Sequence, residues 1–183
     1  MQRREALELT ATIIGGTIFG SEVFLSGRPV ANNRRQAFSE VDVRLLDEIG
    51  ETILPESDMS PGAKAAQIGE FMKTIVMDCY DETEAEIFEA GLREVREASQ
   101  AKYSQSFMEL SSQKRQDLLT EYDRIASNKT DDDDIHFFTM MKQLTIWGYF
   151  TSEPGATKAL RYNPVPGRYD GCIEYEPGDR AWF

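Results

Sequence analysis

From residue 39 onward the apolar positions recur at helical spacing. Ser39 opens the first such stretch with Asp42 three residues later as its capping partner. Val41, Leu45, Leu46, Ile49 and Ile53 then share one face until Pro55 ends it, which predicts a helix of about four turns. Residues 56–62 hold Ser57, Asp58, Ser60, Pro61 and Gly62, the chemistry of a turn. Ile68, Phe71, Met72, Ile75, Val76 and Cys79 line one face of a second helix. Thr83 and Glu86 offer a capping pair for a third, whose face carries Ile87, Phe88, Gly91, Leu92 and Val95 and whose outer side alternates Glu and Arg like a solvated surface. The pattern weakens over 100–112, where Phe107, Met108 and Leu110 read as a plug, and returns in a fourth helix with Leu118, Leu119, Tyr122 and Ile125. After a charged loop at 131–134, residues 135–150 are apolar on nearly every side, the mark of a buried helix and of the central element of a bundle. The expected fold is all-α, a bundle of about five helices.

Both ends of the chain depart from this rhythm. Thr151, Ser152, Glu153 and Pro154 start one short helix through Leu160, after which Pro164, Pro166, Gly167, Gly171, Pro177 and Gly178 forbid regular structure. Yet this tail also holds Tyr162, Tyr169, Tyr175, Trp182 and Phe183 among Arg161, Arg168 and Arg180. Tyr, Trp and Arg are the residue types that anchor interfaces. The tail is therefore expected to wrap its own bundle, to dock on a partner through Tyr162, Tyr169, Tyr175, Arg180, Trp182 and Phe183, or to do both. At the other end, Arg3 and Arg4 precede an uncharged run of about 13 residues from Leu9 to Ser21, too short for the roughly 20 that span a bilayer and right for an export signal. The adjacent arginines make the twin-arginine route, which carries folded cargo, the specific reading. No Ala-x-Ala site follows, so the segment is either cleaved elsewhere or kept as an anchor. The chain thus divides into a signal or anchor at 1–27, a linker at 28–38 and one helical domain at 39–183, with the tail at 151–183.

Charge sharpens this division. The 183 residues carry a net charge of -12, the wrong sign for nucleic acid or anionic lipid, and residues beyond 35 hold 15 basic against 29 acidic side chains, a net -14. One histidine and two cysteines leave no four-ligand zinc site, two-histidine metalloprotease helix or Cys-x-x-Cys pair. A dinucleotide fingerprint, a phosphate loop and a Gly-x-Ser-x-Gly elbow are likewise missing from the sequence. His136, at the start of an apolar helix beside Asp134, reads as a structural or capping residue, and the aspartates of 131–134 lack the EF-hand spacing and read as a solvated loop. The chain is expected to be neither an enzyme nor a cofactor carrier.

Several particular stretches carry a resemblance. The run from Gly148 through Tyr149, Phe150, Thr151, Ser152, Glu153, Pro154, Gly155 and Ala156 to Leu160, followed by Val165, Pro166, Gly167, Arg168, Tyr169, Asp170, Gly171 and Cys172, resembles the gluconate 2-dehydrogenase subunit 3 family. Ile53-Leu54-Pro55, Pro61-Gly62-Ala63, Asp78-Cys79-Tyr80 and the paired arginines support it, so the likeness covers nearly the whole chain. The resemblance implies the flavin-free small subunit of a membrane-associated sugar or polyol dehydrogenase. Its large partner, of the glucose-methanol-choline type, would hold FAD, and a cytochrome c subunit would often take the electrons. It further implies that the small subunit lends its leader to the partner, engages the twin-arginine translocase, helps the partner mature and resides in the periplasm. Glu8 stands where such leaders often carry a basic residue. A free-standing periplasmic binding module or chaperone is the alternative. In an exported protein Cys79 and Cys172 have three possible states: bridged to each other, bridged from one of them to the large subunit, or two buried thiols.

Overall fold

The computed structural model describes residues 38–129, 135–169, 171–174 and 176–183. Among them are five α-helices and no strand: α1 (Glu40–Ile53), α2 (Ile68–Asp78), α3 (Glu82–Tyr103), α4 (Ser112–Ser127) and α5 (Phe137–Thr151). The all-α bundle expected from the periodicity is the fold. The leader with Arg3 and Arg4, the linker up to residue 37, the aspartate loop and Tyr175 lie outside the described residues.

Each boundary has a local cause. Ser39 and Asp42 cap α1 reciprocally, the hydroxyl accepting the Asp42 amide at 3.2 Å and the carboxylate accepting the Ser39 amide at 2.7 Å. Arg96 of α3 also bonds Asp42. Burial pushes the Asp42 carboxyl up, but the bonds from Ser39 and Arg96 outweigh it and hold the group below its ordinary value. Arg96 is therefore a cross-helix partner rather than a member of a merely solvated face. At α3 the predicted Thr83 and Glu86 pair is displaced: Asp81, the stronger cap type, accepts the Glu84 amide at 2.8 Å, and Glu84 answers the Asp81 amide at 3.1 Å. Helix α2 ends at Asp78, so Cys79 is its C-cap and is exposed rather than on the apolar face.

The core gathers Leu46 and Ile49 of α1, Met72 and Val76 of α2, Phe88 and Val95 of α3, Leu118 and Tyr122 of α4, and Phe138, Met141 and Leu144 of α5. The plug expected between α3 and α4 exists as a 3-10 turn, Phe107–Glu109, with Phe107 and Leu110 buried and Met108 exposed. Arg115 locks the turn, its guanidinium donating to the carbonyls of Phe107 at 3.0 Å and Met108 at 2.6 Å while pairing with Glu48. Val41 and Ile125, expected on core faces, sit in the first turn of α1 and the last of α4 and stay exposed.

Helix α5 touches each of the other four helices, as its composition predicts, but it is not buried all round. Ile146 and Trp147 face outward, Trp147 at 55% exposure with its ring edge-on to Phe71 at 5.5 Å. Close approach depends on missing side chains. Ile68, the first residue of α2, is fully buried between α1 and α5, where a Cβ on Gly50 or on Gly148 would run into its branched end. Phe137 seats in the same manner on Gly91 of α3.

Replacing Gly50 by Ala adds helix propensity yet drives a methyl into a β-branched side chain with nowhere to move. The clash should win, lowering stability by about 1–3 kcal/mol as read from the urea midpoint at unchanged slope.

Candidate functional site

The chain leaves α5 through a tight reversal. Ser152 donates its hydroxyl to the Tyr149 carbonyl at 2.6 Å and accepts the Gly155 amide at 3.2 Å, and Gly155–Ala159 then winds as a single π-helical turn. This is the short helix expected through Leu160, in a wider form. The Tyr149 hydroxyl donates to the Pro61 carbonyl, tying the end of α5 to the turn after α1.

Beyond Leu160 the chain forms a closed loop whose two ends meet at Arg161. The Arg161 amide donates to the Ala181 carbonyl at 2.8 Å, and the Phe183 amide donates back to the Arg161 carbonyl at 3.1 Å, a short parallel pairing. Its guanidinium reaches the Asp179 carboxylate at 2.6 Å and lies over the Trp182 ring at 5.4 Å. Asp179 is delivered by the turn at 176–179: Pro177 precedes Gly178 at φ 100°, and the Asp179 amide donates to the Glu176 carbonyl at 2.9 Å. Asp179 also accepts the Glu176 amide at 3.1 Å, so one carboxylate holds both the turn and the closure. The Tyr162 and Phe183 rings meet at 5.9 Å.

The loop displays apolar surface instead of hiding it. Tyr162, Trp182 and Phe183 are 52%, 53% and 55% exposed and Tyr169 is 94% exposed. Tyr169, Trp182 and Phe183 line one groove with Ile173, Pro166 and Arg168, whereas Arg180 is exposed but not part of its wall. Of the predicted docking residues, Tyr162, Trp182 and Phe183 thus stand at the Arg161 junction, and Tyr169 joins Trp182 and Phe183 in the groove wall. Arg161 was named from sequence among the tail's arginines but not as the closing residue, and Asp179 was not singled out, although the Glu-Pro-Gly-Asp turn at 176–179 was a usable signal.

Closure is finely balanced. Joining the ends of a loop of roughly 20 residues costs about 3 kcal/mol in chain entropy. Two backbone hydrogen bonds contribute about 1 kcal/mol each, the half-exposed ion pair at most about 1, and the ring and cation–π contacts about 1 more.

The other candidate residues stay apart. Cys79 and Cys172 are both exposed free thiols, so the internal bridge is not formed in this structure, and the reading of two buried thiols is corrected by their exposure. Cys79 lies past the end of a helix and Cys172 in the exposed C-terminal loop. His136 is the N-cap of α5, its Nδ1 accepting the Phe138 amide at 3.1 Å while the ring stacks on Phe137 at 4.5 Å. Burial, helped by Lys129 and opposed by Glu94, lowers its pKa. No group of three or more His, Cys, Asp or Glu among the described residues is placed to hold a metal ion, and no described helix is long and apolar enough to cross a membrane.

Comparison with known families decides what this architecture belongs to. The model for gluconate 2-dehydrogenase subunit 3 matches residues 40–167, from the first turn of α1 into the C-terminal loop. The chain belongs to the gluconate 2-dehydrogenase subunit 3 family. Its members are a subunit of a multi-subunit dehydrogenase, as the family's description states. No curated protein and no solved structure matched the chain. The family match ends at 167, so the segment that closes onto Arg161 lies beyond it.

The capping role of His136 has a pH consequence. Its folded pKa lies below the ordinary 6.5, so as pH falls past that value the unfolded chain takes up a proton before the native one does and stability declines. Urea midpoints taken at pH 7.5 and pH 5 should show this decline, and it should be smaller in His136→Asn, which keeps a capping acceptor that does not titrate.

Proposed function

We propose that this protein is the non-catalytic small subunit of a flavin-dependent sugar or polyol dehydrogenase, docking on the large FAD-bearing subunit through its C-terminal loop. On this reading it carries that partner to the periplasm on its own leader. The observation that carries the docking reading is the loop, closed at Arg161, that exposes Tyr162, Tyr169, Trp182 and Phe183. Four large aromatic side chains held outside the core by a dedicated closure are costly in water and worthwhile against a partner. Membership in a family of dehydrogenase subunits supplies the kind of partner.

The carrier reading rests on the sequence of the first 27 residues, where Arg3 and Arg4 precede an uncharged run. A twin-arginine route suits a partner that must bind FAD and fold before export, and a small subunit docked on it would favour that folded state by mass action. The segment either is removed after export or tethers the complex at the inner membrane. A cytochrome c subunit is the electron acceptor that fits such a complex.

Replacing both Arg3 and Arg4 by Lys should leave the large subunit in the cytoplasm, with periplasmic dehydrogenase activity near background in fractionated cells. Undiminished periplasmic activity would refute the carrier role. Truncation after Asp179 removes Arg180, Ala181, Trp182 and Phe183 and should cut recovery of the large subunit on co-purification at least about tenfold. Unchanged recovery would mean that docking uses another surface.

A further inference from the structure

Among the described residues, the hydrogen bonds and the ion pair that join the two ends of the C-terminal loop meet at one residue. Arg161 gives its amide to Ala181, its carbonyl to Phe183, its guanidinium to Asp179 and the face of that guanidinium to Trp182. The aromatic side chains flank this junction, Trp182 on the cation and Phe183 on Tyr162. The residue therefore sets where the exposed rings stand, although its own side chain is only partly exposed and points at the end of its own chain.

We propose that Arg161 is a latch that closes the loop before the partner arrives, so that the large dehydrogenase subunit meets a preformed aromatic platform instead of ordering a loose tail on contact. This rests on the reading of the loop as the docking surface for that subunit. A rigid guanidinium suits the task because its planar fork can hold a carboxylate at its edge while its face covers an indole, which an ammonium cannot do. Since the closed form is only modestly favoured, losing the side chain shifts the loop to open conformers. The apparent affinity then falls by the fraction of molecules still closed. Such a loss appears chiefly as slower productive association, since the contact residues themselves are unchanged.

The test uses the full-length protein and its complex with the large subunit. Arg161→Ala and Asp179→Asn cut the same pair from opposite sides, and Asn at 179 keeps an acceptor for the Glu176 amide. Hydrogen exchange of the peptides containing residues 161 and 183 reads closure in the free subunit, and the urea midpoint reads the helical body. With Trp147→Phe as background, Trp182 is the remaining tryptophan, and acrylamide quenching of its emission reports the indole directly. The expected result for both variants is faster exchange at both ends of the loop, stronger quenching, an unchanged midpoint and association with the large subunit slowed at least about fivefold. Arg161→Lys should recover only part of the loss. Exchange and quenching that stay at wild-type levels overturn the latch, as does an opened loop that binds at the wild-type rate. If the wild-type subunit itself fails to bind the large subunit, the docking reading falls and takes the latch's purpose with it, a failure visible without any variant.

Discussion

Three carboxylates on α1 hold the segments that fold against it. Asp47 accepts the Gly69 amide at 2.8 Å, which satisfies the first turn of α2 where Gln67, in a left-handed conformation, offers no side-chain cap. Glu51 accepts the Lys64 amide at 2.8 Å and the Glu56 amide at 2.9 Å, fixing both sides of the turn between α1 and α2. Glu48 pairs with Lys64 and with Arg115, whose guanidinium in turn secures the plug between α3 and α4. One helix face thus supplies the partners for donors in three other places. Burial pushes the Asp47 carboxyl above its ordinary value, against the pull of the Gly69 amide and of Lys64. With Leu46 and Ile49 fully buried on the adjoining face, α1 is both core and scaffold.

That arrangement explains which parts of the fold were legible in sequence. Periodicity located all five helices because the apolar face of each meets the same core, and the Ser39 and Asp42 pair fixed the start of α1 to the residue. What periodicity does not encode is long-range polar partnership. Arg96 and Arg115 look like any solvated arginines until Asp42 and Glu48 are folded against them. Nor does it rank two overlapping caps, and Asp81 with Glu84 prevails over Thr83 with Glu86, Asp being the stronger N-cap type. Composition misled in one place. Residues 135–150 are apolar on nearly every side, yet the four neighbouring helices leave part of α5 uncovered, and Trp147 stays exposed with its ring against Phe71.

The C-terminal loop was half legible for a related reason. Its aromatic and arginine content marks it as interface-like, but composition cannot separate a tail that wraps its own bundle from one that closes on itself. The pairing that closes the loop spans about 20 residues, between Arg161 and the segment at 179–183, and the turn at Pro177 and Gly178 helps bring the two together. The two cysteines were less legible still, because their exposure depends on where α2 stops and on how the loop folds.

Charge gives the loop a second distinction from the body that carries it. Residues 161–183 hold three arginines against four carboxylates, a net -1, while residues 36–160 hold a net -13. An acidic body keeps the subunit soluble and repels other acidic proteins at long range. On the docking reading, the near-neutral loop is where a partner would approach without that penalty, with Arg161 and Arg168 among the exposed rings. Helical body and loop then separate two demands that conflict in one surface, solubility in the free subunit and burial in the complex. The loop can carry the second only if its rings are held in place, because four aromatic side chains on a loose tail would lose on ordering much of what they gain on burial. The Arg161 closure removes part of that loss in advance, at a chain-entropy cost that its own contacts offset.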